Sequence, residues 1–331
     1  MTRYPYAARL NSFATRPELF WPGRNDKPTT LDLIDRAATV EGLAVVDLNF
    51  PQQTDGIALP ELRARIADRG LALNGYAMRY NGEAAFKSGA FTNADPTIRR
   101  RAIDLTRRGM DEARAAGGKM LTLWLGQDGV DHPFQADYAR LWELEVEGIR
   151  QVAAHDPDCL VSIEYKPNEP RALSVIHNVA GTLLAIAEAG APNLGVTLDF
   201  AHVLQVDESP ALAAALVGRK SRLLGLHLND AYGKRDDGLM VGAVHTVQTI
   251  ELLRQLRRDK FVGAIYFDTF PDTAGLDPVA EAAANVATVE MMFDLLDRLP
   301  DAEIDAALQR QDAIAAHRLV QSTLFGRGDA K

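Results

Sequence analysis

The segment at 160–171, LVSIEYKPNEPR, is mostly apolar at first and then sets down Glu164, Lys166, Glu169 and Arg171 around two prolines. Three later segments share this shape. GVTLDFAH carries Asp199 and His202, GLHLND carries His227 and Asp230, and AIYFDTF carries Asp268. An ionisable group at the end of a hydrophobic run is costly to bury alone, so something must compensate it. Brought together, Glu164, Asp199, His227 and Asp268 form the ligand set of a divalent cation, three carboxylates and one imidazole. A mostly oxygen set with one nitrogen suits Mn²⁺, Mg²⁺ or Co²⁺, with Zn²⁺ as a further alternative. Singly, each has a plainer reading: Asp199 as a cap of the following turn, His227 as a satisfied core histidine, Asp268 as a turn acid.

The elements that must position these groups follow a regular rhythm. Short β-branched or apolar runs at 8–13, 43–50, 71–80, 119–126, 160–166, 194–200, 223–229 and 264–270 predict strands. Amphipathic stretches at 30–40, 57–69, 97–116, 136–155, 172–189, 210–219, 246–258 and 277–297 predict the helices between them. Asp95-Pro96 and Ser209-Pro210 read as helix starts, as does Thr30. Eight strands, each followed by a helix, predict a (β/α)8 TIM barrel of the α/β class. It spans 1–300 and is followed by a C-terminal helical extension, a helix and polar tail at 301–331 that would serve as an oligomer arm or barrel brace. In such a barrel the active site lies at the C-terminal ends of the strands. Those ends carry Asp47 and Asn49 on the second strand, Trp124 on the fourth, and the acids and histidines above on the fifth to eighth. Asp47 and Asn49 are expected to bind substrate hydroxyls. His132, in the loop after the fourth strand, is expected to act as a general acid or base over the mouth, against its plainer reading as a surface histidine.

Composition narrows the function. With 331 residues, 47% hydrophobic and 24% charged, the chain has the makeup of a soluble globular protein. A formal charge of −9 argues against nucleic-acid and anionic-membrane partners. The lone Cys159 rules out an internal disulfide, and with no signal-peptide pattern it predicts a cytoplasmic protein. Apolar neighbours and no adjacent base make Cys159 a packing residue.

EYKPNEPR (164–171) is very similar to the sugar-isomerase signature of the xylose isomerase-like TIM-barrel superfamily. Trp124 in LTLWLGQDG, LDFAH (198–202), HLND (227–230), DDGLMVG (236–242) and YFDTFP (266–271) resemble, in order, further segments of that superfamily. The resemblance implies that Glu164, Asp199, His227 and Asp268 hold a first metal. It implies that His202, with Asp236 or Asp237, holds a second metal or its water, and that Lys166 hydrogen-bonds the sugar carbonyl oxygen. Trp124 would pack against the sugar. Lys166, His202, His132 and Asp236 are thus the expected catalytic groups, and Trp124, Asp47, Asn49 and Asp237 the expected substrate contacts.

Two departures matter. Xylose isomerases carry a ring-opening histidine after the second strand, whereas here that end reads DLNFP and no histidine precedes His132. Asp236-Asp237-Gly238 places glycine where a second-metal ligand is expected, and His227 stands where xylose isomerases use an acid, as in rhamnose isomerases and ketose epimerases. The expected activity is a divalent-metal-dependent sugar isomerase or epimerase, Mn²⁺ first among the metals, working through an enediolate as a homo-oligomer. The alternative is a metal-dependent lyase on oxidised sugars. That would be a C-glycoside deglycosidase catalytic subunit acting on 3-oxo-glycosides with a small accessory subunit, or a keto-sugar-acid decarboxylase.

Overall fold

The computed structural model describes residues 2–24 and 26–326. Eight parallel strands form one sheet: β1 (Tyr6–Ala8), β2 (Val45–Phe50), β3 (Ala72–Met78), β4 (Met120–Trp124), β5 (Leu160–Glu164), β6 (Leu194–Asp199), β7 (Leu223–Leu228) and β8 (Ile265–Phe267). Neighbours run β1-β8-β7-β6-β5-β4-β3-β2. The ring is all but closed by a bridge between Tyr6 and Leu43, where the Ala44 N–H donates to the Tyr6 carbonyl at 2.9 Å. This is the (β/α)8 TIM barrel that the element count predicts, with its helices packed outside the strands. β5 and β6 are buried almost throughout, as strands covered on both faces must be.

Local signals set the helix boundaries. Asp95 and Ser209 cap the helices that open on Pro96 and Pro210, and Thr29, not Thr30, caps the helix Thr30–Ala37 through a capping box with Asp32. The first strand lies at Tyr6–Ala8 rather than 8–13. Leu10–Ala14 instead forms a 3-10 turn that buries Leu10 and Phe13, while the Ser12 hydroxyl donates to the Thr269 carbonyl at 2.9 Å. Leu and Phe three residues apart fit one face of that tighter turn. The helix expected from 172 begins at Val179, capped by Asn178, so His177 precedes it.

Residues 172–178 instead contribute to a clasp between two neighbouring loops. Leu173–Ser174 pairs antiparallel with Gly129–Val130, tying the loop after β4 to the loop after β5. Only glycine fits at 129, since a Cβ there would lie 2.2 Å from the Leu173 carbonyl oxygen. Arg171 reinforces the clasp by donating to the Lys87 and Gly129 carbonyls and pairing with Asp131 at 3.2 Å. The C-terminal segment folds as two helices, Asp301–Gln309 and Ala313–Leu324; residues 327–331 lie outside the described residues. Asp301 and Asp305 pair with Arg254 on the barrel helix Thr246–Arg258. No described helix is long and apolar enough to cross a membrane.

The loop after β4 is also anchored inward. Asp128 is fully buried, and its Oδ1 accepts from the Ala90 and Thr92 N–H groups and the Thr92 hydroxyl. Glu145, on the helix Tyr138–Ala153, is buried near it with both carboxyl oxygens unpartnered. Burial, and then the Asp128 charge, push the Glu145 carboxyl well above the usual carboxylate range. Burial likewise raises the nearby Tyr80 hydroxyl, which shares a hydrogen bond with Thr106. Folding therefore favours protonated Glu145, and stability falls as pH rises above the ordinary carboxylate range. Glu145→Gln is expected to raise the melting temperature at pH 8, by the equivalent of about 1–3 kcal/mol. At pH 4 the gain should vanish, and thermal melts at the two pH values check this.

Candidate metal centre and active site

The C-terminal ends of β5 to β8 bring Glu164, Asp199, His227 and Asp268 to one point, each offering a ligand atom within 4.8 Å of the others. Trp124 lies in register beside Glu164, and Asp199 beside His227. Between β5 and β6 the ends are staggered instead: Glu164 pairs with Thr197, two residues before Asp199. The Glu164 and Asp199 side chains are 2% and 0% exposed. His227 Nδ1 lies 3.3 Å from Glu164 Oε1 and 3.9 Å from Asp199 Oδ2. It nonetheless lacks an aligned hydrogen-bond partner among the described residues, as does Glu164 Oε2.

Electrostatics shows how strained the cluster is. Burial raises the Glu164 carboxyl, but the His227 and His202 imidazoles outweigh it and hold the group at about 2. Burial drives Asp199 up to about 7, with Asp236, Asp268 and Glu164 adding to the push against His202. Asp268 is likewise raised, by burial first. His227 is pushed down by burial, yet Glu164 carries it up to about 9. A proton on His227 thus does the neutralising work that a cation would do better. Unpartnered Glu164 Oε2 and His227 Nδ1, with an oxygen-rich donor set, fit a divalent ion.

Asn229, in the turn after β7, braces the cluster. Its Nδ2 lies 3.4 and 3.3 Å from the two Asp199 oxygens and 3.2 Å from the Asp268 carbonyl, and its Oδ1 accepts the Ala201 N–H. The Asp199 Oδ1 also accepts the His202 N–H at 3.0 Å, so Asp199 caps the helix Phe200–Gln205 while facing the cluster. Cap and ligand readings of Asp199 are therefore compatible.

A second constellation adjoins the first. Asp236 Oδ2 accepts from Lys166 Nζ at 2.9 Å and lies 3.3 Å from His202 Nε2, while Asp236 Oδ1 is buried without a partner. Burial would raise the Asp236 carboxyl, but His202 and then Lys166 hold it well below the usual range. Lys166 is lowered by burial and raised more strongly by Asp236, so it stays an ammonium. Glu169 also reaches Lys166, at 3.2 Å, and Arg171 pairs with Asp131. Glu169 and Arg171 thus each pair with a different residue and not with each other.

A cavity of 320 Å³ opens over these groups, lined by Trp124, Glu164, Lys166, His202, Asp236 and Asp268 among others. Trp124 seats against Gly126, where a Cβ would lie 2.7 Å from the indole. Asn49 lines the cavity too. Five expected residues are not in its lining: Asp199 and His227 of the cluster, and Asp47, Asp237 and His132. Asp47, two residues back on β2, is held by the Asn74 amide at 2.9 Å. Asp237 accepts the Tyr232 N–H at 2.8 Å and pairs with Arg235, bracing its own loop. His132 is exposed on the clasp loop, its N–H bound to Gln135. His245 is likewise a brace, its Nδ1 2.8 Å from buried Asp230. Burial pushes the Cys159 thiol up to about 11, consistent with a packing role. Arg9 and Arg79 line the cavity but escaped notice in the sequence. They stand just past the first and third strands, the same position that singled out the other site residues.

Comparison with known proteins agrees with this architecture. The profile of the family described as "Xylose isomerase-like TIM barrel" matches residues 34–308, and the chain belongs to that family. A probable sugar isomerase of Rhizobium meliloti (strain 1021) is 28% identical over 250 residues, covering 71% of this chain and 56% of that protein. The xylose isomerase of Thermus thermophilus is 26% identical over 224 residues, covering 66% of this chain and 58% of the enzyme. The chain therefore spans little more than half the length of these relatives. Among solved structures, a D-tagatose 3-epimerase-like protein has the same fold with a TM-score of 0.71 at 11% identity, over 90% of this chain and 99% of that one. The 3-keto-D-glucoside 4-epimerase of E. coli does so with a TM-score of 0.63 at 14% identity, over 88% and 100%.

Because Asn229 bridges Asp199 to the β8 end, Asn229→Ala is expected to weaken Mn²⁺ binding by about 10–100-fold. Titration calorimetry on metal-stripped protein measures this, and unchanged affinity would remove Asn229 from the site's support.

Proposed function

We propose that the protein is a divalent-metal-dependent sugar isomerase or epimerase that moves a proton through an enediolate at the barrel mouth. One observation carries this reading: a carboxylate–imidazole cluster, a buried ammonium and a carboxylate with a free oxygen meet in one cavity. Its 320 Å³ sits at the small end of ligand pockets, about 300–1,000 Å³, and suits a monosaccharide. Glu164, Asp199, His227 and Asp268 would hold the ion, which as a Lewis acid polarises a carbonyl and its neighbouring hydroxyl.

The chain's own groups supply the rest. Lys166, kept protonated by Asp236, donates to the substrate oxygen on which negative charge develops. Asp236 Oδ1, free of a partner, accepts a hydrogen bond from a substrate hydroxyl and orients it, with His202 3.3 Å from Oδ2. Asn49 offers its amide from the facing wall, and Trp124 limits the cavity beside Lys166. With Lys166 as its counter-ion, Asp236 is already compensated, which favours one metal over two.

A second reading, lyase or epimerase chemistry on an oxidised glycoside, draws on one feature. No histidine from β1 to β4 reaches the cavity to assist ring opening, so a substrate that already exposes a carbonyl suits it. The shared fold with a 3-keto-D-glucoside 4-epimerase points the same way.

Incubating Mn²⁺-loaded protein with aldoses, ketoses and 3-oxo-glycosides in D2O tests both. The first reading predicts interconversion with deuterium at the carbon next to the carbonyl, seen by NMR, and cleavage of a 3-oxo-glycoside alone would favour the second. Lys166→Met is expected to lower kcat by about 10²–10³-fold with metal content unchanged. Full activity in that variant would remove Lys166 from the chemistry.

A further inference from the structure

The two walls of the cavity differ in kind. All its lining acids come from the β5–β8 half: Glu164, Asp236 and Asp268. The β1–β4 half lines it with Arg9, Asn49, Gln52, Gln53, Arg79 and Asn81, and with no carboxylate among the described residues. The amides of this wall are partly engaged with one another. Gln53 binds Asn11 and the Asn49 N–H, and Gln52 donates to the Arg79 carbonyl. Arg9 has company as well, lying 3.8 Å from Asp268 and 3.4 Å from Asp272 and over the Phe270 ring.

Arg79 is different. Its guanidinium lies 5.0 Å from the centre of the Trp124 ring, forms no ion pair among the described residues, and has Nη1 buried with no hydrogen-bond partner. Stacking fixes the plane of the group and leaves donors at its edge. Its charge is felt by Glu164 across the cavity, but no described carboxylate meets it directly, and its unpaired donor is unfavourable unless a ligand completes it. A neutral sugar hydroxyl satisfies one donor, but a carboxylate or phosphate satisfies two with opposite charge.

We propose that the substrate carries an oxyanion, and that Arg79, assisted by Arg9, binds it against the β1–β3 wall while the carbonyl end faces the Glu164–Asp199–His227–Asp268 cluster. This rests on the reading that the site takes sugars, and narrows it to sugar acids or sugar phosphates. Arg79 selects the substrate by charge; Trp124 acts here less as an apolar wall than as the platform that orients the guanidinium. The indole also lies 5.8 Å from Lys166 Nζ, so one ring orders both cations.

Calorimetric titration of Mn²⁺-loaded protein with matched ligands tests this: D-galactose against D-galacturonate, and D-fructose against D-fructose 6-phosphate. At least one anionic member should bind 10-fold or more tighter than its neutral partner, and which one does so distinguishes carboxylate from phosphate. In Arg79→Gln that ratio should collapse towards one, and in Arg79→Lys it should be partly kept, with metal content as the control for folding. Equal binding of both members, preference for the neutral sugar, a ratio unchanged in Arg79→Gln, or no binding of any ligand would overturn the proposal. Neutral sugars that exchange deuterium in D2O would then leave the isomerase reading standing without it. Arg79-dependent anion binding with no exchange would uphold the proposal and sink the isomerase reading.

Discussion

Three carboxylates and an imidazole are forced within 4.8 Å of one another at the mouth of the barrel, and most of the remaining site answers to that constraint. In water such a cluster is cheap. Buried, it splits the carboxyls between one held at about 2 and another pushed to about 7, and loads His227 with a proton. A divalent ion would remove that conflict, its charge standing in for the proton on His227. The barrel meets the geometric demand with four adjacent strands whose staggered ends converge, and Asn229 ties two of those ends together.

The neighbouring Lys166–Asp236–His202 constellation is shaped by the same field. Asp236 stays ionised because an ammonium and an imidazole face it, and Lys166 stays charged because Asp236 does. The pair brings a donor and an acceptor to the substrate without adding net charge to an acidic site. Across the cavity, Arg79 on its Trp124 platform is a cation with no carboxylate in direct contact among the described residues. In the proposed reading, one wall activates a carbonyl while the other sorts substrates by charge. The clasp of Gly129–Val130 with Leu173–Ser174 and the Asp128 anchor keep the loops carrying these groups from drifting.

Much of this was legible in the residues. The barrel followed from the alternation of strand and helix patterns, and the cluster from reading which side chains end the fifth to eighth strands. What escaped did so for identifiable reasons. The first strand is three residues long, and its continuation carries Leu10 and Phe13 at a spacing that suits a turn as well as a strand. The start of the helix at Val179 depends on Leu173–Ser174 pairing with a loop some 45 residues earlier, which no local pattern encodes. Asp47, His132 and Asp237 have the right chemistry near the right strands, but Asn74, Gln135 and the Tyr232–Arg235 turn hold their loops and side chains elsewhere. Arg9 and Arg79 sat at strand ends like the others and were passed over because an arginine there reads as an ordinary surface residue.

The central claim is that the strand-end cluster exists to hold one divalent ion. Elemental analysis by mass spectrometry, on protein stripped with chelator, reloaded with Mn²⁺ and freed of excess by gel filtration, tests it most directly. The account predicts one ion per chain in the native protein and none retained by Asp199→Asn. A native protein that retains no ion, or a variant that retains as much as the native chain, would contradict it.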